Sequence, residues 1–327
     1  MRAAVRDRYG GPEVVELRDL PVPEPRDDEV LVRVRAASVN RGDLDGIHPK
    51  PGFVRLFIGM RRPRNPRIGL DAAGVVEAVG RDVTRFQSGD AVFSDLFSHG
   101  MGAFADYVCA AERAFEPIPD GMSFVDAATL PHAAILALQA LRTRGGRTPA
   151  LGERVLIGGA SGNVGPFAVQ IAKAYGAEVT GVGSTAKLDF VRSVGADHVI
   201  DYRAVDYTRT SERYDWIVDV DSHHSVLHVR PALRPGGVYV TLGGGGLAIG
   251  DALVVGSLVT AATNRRMGLM LGWKPFAHDD VETLKGLIGA GRVRPFIDRR
   301  YPLDAIGEAL RDVDEGRPSG KVVIEIS

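Results

Sequence analysis

The sequence predicts a two-domain α/β protein, with a doubly wound parallel sheet inserted into a β-rich domain. Three observations carry that prediction. Residues 155–167 read as an apolar strand, a glycine-rich turn and a helix opening at Pro166. Strand and helix patterns alternate from about 123 to 262, as a parallel sheet requires. Residues 1–120 and the tail carry strand patterns punctuated by glycine and proline. The expected limits are 1–122 and 263–327 for the β-rich domain and 123–262 for the inserted one.

In chain order, Pro21, Pro23 and Pro25 mark an early loop. Val30, Val32 and Val34 then alternate with basic residues, the pattern of a half-exposed strand. Residues 74–80 form a second strand ended by glycine, and Cys109 lies in a strand-like stretch as a packed core residue. In the glycine-rich turn, Ala160, Gly162 and Gly165 have dinucleotide-fingerprint spacing, with alanine in the first glycine's place. Such spacing lets the backbone turn tightly, approach a pyrophosphate and pack the helix on its strand, while the helix N-terminus offers free N–H groups. The coenzyme-binding candidates here are Ala160, Ser161, Gly162, Asn163, Val164 and Gly165.

The next helix shows an apolar stripe at Val164, Ala168, Ile171, Ala172 and Tyr175, with Gly176 at its C-cap. A strand at 178–182 completes one βαβ unit. Strands follow at 216–220, 238–242 and, late in this domain, 252–259. The tail gives a helix at 280–290, an extended piece at 295–298, a helix at 304–314 and a closing strand at 322–326.

An NAD-selective site places an acid about twenty residues beyond the first glycine, against the ribose hydroxyls. The window 179–184 has none; Ser184 and Lys187 follow, and Tyr202 stands after the third strand. Hydroxyls and a cation suit a 2′-phosphate, so NADP(H) is the expected coenzyme.

Composition excludes several classes. The chain is 45% hydrophobic and 25% charged, the balance of a globular protein, and 40 basic against 41 acidic residues leave a net charge of -1. No electrostatic footprint for nucleic acid or membrane follows from that. There is no long apolar run, residues 1–7 lack a signal peptide's apolar core, and the single cysteine excludes internal disulfides. A cytoplasmic location is expected.

Several motifs in order then point to a family: Ala36 to Asp43, Gly69 to Gly80, Gly102 to Val108, the helix from Leu130 to Leu141, the glycine turn, Arg234 to Gly237 and Gly320 to Val323. Together they resemble the medium-chain dehydrogenase/reductase superfamily, in its zinc-free, quinone-oxidoreductase-like (zeta-crystallin-like) branch. The resemblance implies a GroES-like catalytic domain around a Rossmann domain, with the nicotinamide in the cleft between them. It implies that Asn40 donates to a carbonyl oxygen, that Asp43 orients its loop, and that Lys321 approaches the cleft or a coenzyme phosphate. It also implies that Gly243 and Gly244 admit the nicotinamide carboxamide.

Where zinc relatives carry their first cysteine this chain has Asn40, and where they carry Gly-His-Glu it has Gly69, Leu70 and Asp71, so no metal is expected. Without a Lewis acid, hydride reduction of quinones or α,β-unsaturated carbonyls is the expected chemistry. A metal-free alcohol dehydrogenase or ketone reductase and a barely active NADPH-binding sensor are the alternatives. The chain departs from the pattern in having no tyrosine at 46–51, Leu136 for a threonine, and the run Asp219 to His224. His48 and His223 are the candidates to replace the missing proton donor, against the reading of surface histidines. Arg61, Arg62, Arg64 and Arg67 recognise an anionic substrate or form a solvated loop. The partners expected are a small carbonyl or quinone substrate and, through the edge at 252–259, a second copy of the chain.

Overall fold

The valine and arginine alternation around Val30 grows into an eleven-residue strand, Glu29–Val39, whose valines are buried while Arg33 faces water. In the computed structural model, which describes residues 1–49, 52 and 55–327, the chain divides into two compact units. One holds Met1–Ile135, Pro275–Glu282 and Pro295–Ser327; the other holds Leu136–Lys274 and Thr283–Arg294. Lys50 and Pro51, part of the loop expected to lack a tyrosine, lie outside the described residues.

The first unit opens with β1 (Arg2–Val5), β2 (Glu16–Asp19), β3 (Glu29–Val39), β4 (Asp71–Val79), β5 (Ala91–Asp95), β6 (Tyr107–Ala111) and β7 (Glu116–Pro117). The second unit supplies β8 (Arg154–Gly158), β9 (Glu178–Gly183), β10 (His198–Asp201), β11 (Tyr214–Asp219), β12 (Leu233–Thr241) and β13 (Arg266–Leu269). The chain then returns to the first unit for β14 (Ile297–Pro302) and β15 (Lys321–Glu325).

The main sheet of the first unit runs β14-β15-β3-β4-β5-β7, with β6 also on β3. Only β14 and β15 pair in parallel; the other neighbours are antiparallel. Val30, Val32, Ile68, Val92, Phe104 and Phe115 anchor its core. In the second unit the order is β10-β9-β8-β11-β12-β13, every pair parallel. That order reverses direction beside β8, the doubly wound Rossmann arrangement, whose ligands bind beyond the carboxyl ends of the strands.

One expectation fails. Residues 252–259 form no strand; they lie in the helix Gly246–Ala262. An apolar run of this length has no period that separates strand from helix. The packing decides it through Ala252 and Gly256, four residues apart and buried on the same helix face. A Cβ on Gly256 would lie 2.7 Å from the Met267 carbonyl oxygen, so the helix sits tightly on β13. The sheet edge beside this helix is therefore β13, with β10 at the opposite edge. Because β13 pairs with β12, the second unit runs to Lys274 rather than 262, and the first unit extends to Ile135 rather than 122.

Gly74 fixes how closely β3 and β4 approach, at a point where their register shifts. A Cβ there would stand 2.2 Å from the Arg33 carbonyl oxygen, a backbone atom that cannot swing away. Gly74→Ala is expected to destabilise the protein by about 1–3 kcal/mol, the usual cost of overpacking. Urea unfolding of the two proteins side by side measures it.

Candidate active site and coenzyme turn

Strand registers in the first unit lay a row of polar residues across an otherwise apolar sheet. Ser38 on β3 pairs with Asp71 on β4, and Asp71 pairs with Asp95 on β5. On the other side of β3, Val39 faces Val322 of β15, which brings Lys321 beside Asn40. Asn40 is the N-cap of the helix Arg41–Ile47 and its backbone N–H donates to Asp43 Oδ2 at 2.8 Å, closing a capping box.

Every side chain in this row has partners. Asn40 Nδ2 donates to Asp71 Oδ2 at 2.8 Å and to the Ser38 carbonyl at 3.3 Å, and the Ser38 hydroxyl donates to Asp71 Oδ2 at 2.9 Å. Lys321 Nζ donates to Asn40 Oδ1 at 2.7 Å and stands 3.7 Å from Asp71 Oδ2. His132, at the start of the helix Pro131–Ala140, gives its backbone N–H to Asp71 Oδ1 at 3.0 Å and sets Nδ1 2.9 Å from Asp95 Oδ2. Asp95 Oδ1 accepts from the Phe97 backbone N–H at 2.9 Å.

Five ionisable groups thus share a volume almost closed to water. Burial pushes the Asp43 carboxyl up to about 7, and its Oδ1 is buried with no hydrogen-bond partner. Burial raises Asp71 as well, although Lys321 pulls the other way. Burial works against the His132 cation, but the charge and hydrogen bond of Asp95, with Asp71 behind it, outweigh that, and the imidazole pKa rises. Burial lowers Lys321 against the opposing pull of Asp71 and Asp43. Burial thus favours the uncharged forms of Asp43, Asp71 and Lys321, while the carboxylates around His132 favour its cation.

In the second unit the glycine turn joins β8 to the helix Gly165–Ala174. Gly159 takes φ +70, a left-handed value open to glycine, and the Gly162 N–H closes on its carbonyl at 3.0 Å. The two later glycines of the fingerprint do different jobs. A Cβ on Gly165 would fall 2.2 Å from the Gly159 carbonyl oxygen, so this glycine locks helix against turn. A Cβ on Gly162 would meet only that oxygen, at 3.5 Å, leaving its other side clear for a phosphate. Ala160 is fully buried, its N–H bonded to the Val182 carbonyl, and no side chain caps the helix at Val164.

Both halves of the chain match known families: residues 26–120 match the alcohol dehydrogenase GroES-like domain, and residues 194–324 match a zinc-binding dehydrogenase family. The mitochondrial NAD(P)H oxidoreductase RTN4IP1 of Mus musculus is 32% identical over 100% of this chain and 89% of its own length. A chloroplast envelope quinone oxidoreductase homolog of Arabidopsis thaliana is 30% identical over 99% of this chain and 98% of its own. The solved quinone oxidoreductase of Coxiella burnetii superposes with a TM-score of 0.87 at 28% identity, covering 100% and 99% of the two chains. The chain belongs to the medium-chain dehydrogenase/reductase superfamily, in its quinone-oxidoreductase-like branch. It is an oxidoreductase, and membership in this superfamily implies a nicotinamide coenzyme.

Against that membership, the site residues read from the sequence divide. Both amide hydrogens of Asn40 are committed to Asp71 and Ser38, so its expected donation to a substrate carbonyl is not available in this arrangement. Lys321 is 1% exposed and committed to Asn40 and Asp71, which removes it from the phosphate-binding candidates. His48 is an exposed residue ending the helix Arg41–Ile47, and the His223 side chain is 79% exposed, 3.6 Å from Asp221. Neither histidine is joined to the buried row. Gly244, at φ +137, makes room for the Ser222 carbonyl, 2.4 Å from where its Cβ would stand, and the Gly243 carbonyl accepts from Ser222 N and Thr241 Oγ1.

Ser184 and Lys187 are partly exposed just past β9, and Tyr202 is exposed just past β10. Cys109 is half-buried, not packed in the core, with Sγ 3.5 Å from Glu29 Oε2; burial first, and that carboxylate second, push its thiol up to about 12. Arg61, Arg62 and Arg64 are exposed and Arg67 is partly so. Glu116, His278 and Glu282 lie close enough to share an ion. Glu116 is however already paired with Arg85 at 3.0 Å and His278 at 2.9 Å, contacts that account for its burial. Among the described residues no helix is long and apolar enough to cross a membrane.

The raised Asp43 pKa fixes a pH dependence. Between the ordinary carboxyl value of 3.8 and about 7 the folded chain holds a proton on Asp43 that the unfolded chain has lost. Its contribution therefore falls as pH rises through that window, by at most about 1.4 kcal/mol per pH unit, and is flat above it. His132 extends the decline above its own ordinary value. Asp43→Asn is expected to flatten the fall in thermal midpoint between pH 5 and 7, read from melts at half-unit steps.

Proposed function

We propose that the protein is a zinc-independent, NADPH-dependent reductase of quinones or α,β-unsaturated carbonyls. The observation that carries this reading is the Lys321 ammonium, 2.7 Å from Asn40 Oδ1 and 3.7 Å from Asp71. A catalytic zinc needs three Cys, His or carboxylate ligands and an open position. At the places where zinc relatives carry ligands this chain has an amide, a leucine and a carboxylate already bound to an ammonium, a donor set that does not fit zinc. Electrophile activation then falls to hydrogen-bond and proton donors, which suit a conjugated acceptor better than an unactivated alcohol.

The turn of the second unit fits a dinucleotide. Gly162 offers its open side and the amides of the helix start to a pyrophosphate, while Gly165 keeps them in place. Preference for the 2′-phosphate rests on Ser184, Lys187 and Tyr202 at the ends of neighbouring strands, since Gly183 pairs with Asp201. Arg203, whose guanidinium lies 5.9 Å from the Tyr202 ring centre, adds a further cation there. Asp201, the acid nearest this loop, is engaged by the Thr185 hydroxyl and the Arg203 N–H. When bound, the coenzyme supplies the hydride.

A cytoplasmic homodimer completes the reading. The open edge β13 and the exposed Leu253, Val254 and Leu258 of the helix beside it offer a surface that a second copy would cover. Light scattering during size exclusion reads the stoichiometry directly.

Steady-state assays against quinones, enones, ketones and alcohols test the reaction. Turnover with quinones or enones that survives chelator dialysis supports the reading, and activity confined to saturated carbonyls or lost with bound zinc overturns it. For the coenzyme, Lys187→Glu is expected to weaken NADPH binding at least tenfold with little change for NADH. Gly162→Val should weaken both. Fluorescence titration separates the two effects.

A further inference from the structure

Within the buried row of the first unit, the His132 side chain is less enclosed than those of Asp95, Asp71 and Lys321. It is 11% exposed, while those of Asp95 and Asp71 are 0% and that of Lys321 is 1%. Its ring is held from several sides. Asp95 Oδ2 takes Nδ1 at 2.9 Å, and the other Asp95 oxygen is tied to the Phe97 N–H, so the carboxylate cannot swing off. Asp71 Oδ1 holds the His132 backbone N–H at 3.0 Å. On the opposite edge, Nε2 lies against Gly42, where an added Cβ would stand 3.6 Å away, and the Phe97 ring centre is 6.4 Å from the imidazole.

We propose that His132, oriented by Asp95, is the proton donor of the reductase reaction, the part left open by the missing loop tyrosine and by the exposed positions of His48 and His223. This inference rests on the reading given under Proposed function. The charged and titratable groups acting on the ring are Asp95 from β5, Asp71 from β4, Asp43 from the helix Arg41–Ile47, and Lys321 from β15. Three carboxyl groups face one ammonium, which leaves a place for a second cation. An imidazole fixed at Nδ1 by a carboxylate holds its second proton on Nε2, the atom from which it is given up.

The step balances as follows. The β-carbon of the enone would accept hydride from the bound coenzyme, the alkene electron pair would form the new double bond between the α-carbon and the carbonyl carbon, and the carbonyl π pair would move onto oxygen. The Nε2–H bond of His132 breaks and its proton goes to the developing enolate, leaving the electron pair on nitrogen. The substrate gains two electrons and two hydrogens, the coenzyme is oxidised by two electrons, and the neutral imidazole takes a proton from water. A quinone follows the same course to the hydroquinone, with a second oxygen as acceptor.

The test uses the full-length protein and its His132→Gln and Asp95→Asn variants, with thermal midpoint and NADPH affinity measured first. In the wild type, kcat should fall at alkaline pH as the ring loses its proton. His132→Gln should lose about 100-fold in kcat, the scale of a general acid. It should also lose the alkaline limb, with the NADPH Kd within twofold. Asp95→Asn should move that limb to lower pH. A folded, NADPH-binding His132→Gln protein with kcat within threefold and the limb intact overturns the proposal. Where His132→Gln does not fold, an unmoved limb in Asp95→Asn overturns it. A wild type that reduces neither quinones nor enones removes the functional reading itself, an outcome distinct from loss of His132's role alone.

Discussion

The pairing of β15 with β3 sets an ammonium among three carboxyl groups in the interior of the first unit, and the rest of the site is arranged around that placement. Removing ions from water costs several kcal/mol each, which is recovered only where every lone pair and proton has a partner. Asp71 achieves this with the Ser38 hydroxyl, the Asn40 amide, the His132 backbone N–H and the nearby Lys321. Asp43 does not, since one of its oxygens is orphaned. A carboxyl group in that position is stabilised by keeping its proton.

The second unit solves a separate problem by backbone shape alone. At its turn, glycine at 162 leaves one side open beside the start of the helix Gly165–Ala174. The other two small residues serve packing: Ala160 is buried under β9 and Gly165 is pressed onto the turn. The two units thus rely on different devices, one on backbone shape at a turn and one on paired ionisable side chains.

Much of this was legible in the residues. Strand alternation around Val30, the βαβ spacing after Val155 and the glycine turn are local signals, and local signals survive folding. The helix Gly246–Ala262 is hard to tell from a strand because its run is apolar on nearly every side, with only the Ala252 and Gly256 spacing to betray a helix. The burial of Lys321 is not legible because its partners Asn40 and Asp71 are far off in sequence. No local pattern reports that a lysine just before a closing strand will be buried. His132 and Asp95 do carry a local signal. Each is a single ionisable residue inside an apolar run, Leu130 to Ala133 and Val92 to Leu96, and such a residue is either paired or costly.

The contact between Lys321 and Asn40 spans 281 residues of chain. On a ribosome adding about 5–20 residues per second, β3 emerges roughly 15–55 s before the strand that neutralises its neighbours. During that interval Asp71 and Asp95 have no ammonium beside them. The second unit, contiguous apart from the segment Thr283–Arg294, faces no such delay. Vectorial synthesis therefore gives the inserted unit a head start, and the unit that begins the chain is the last to consolidate.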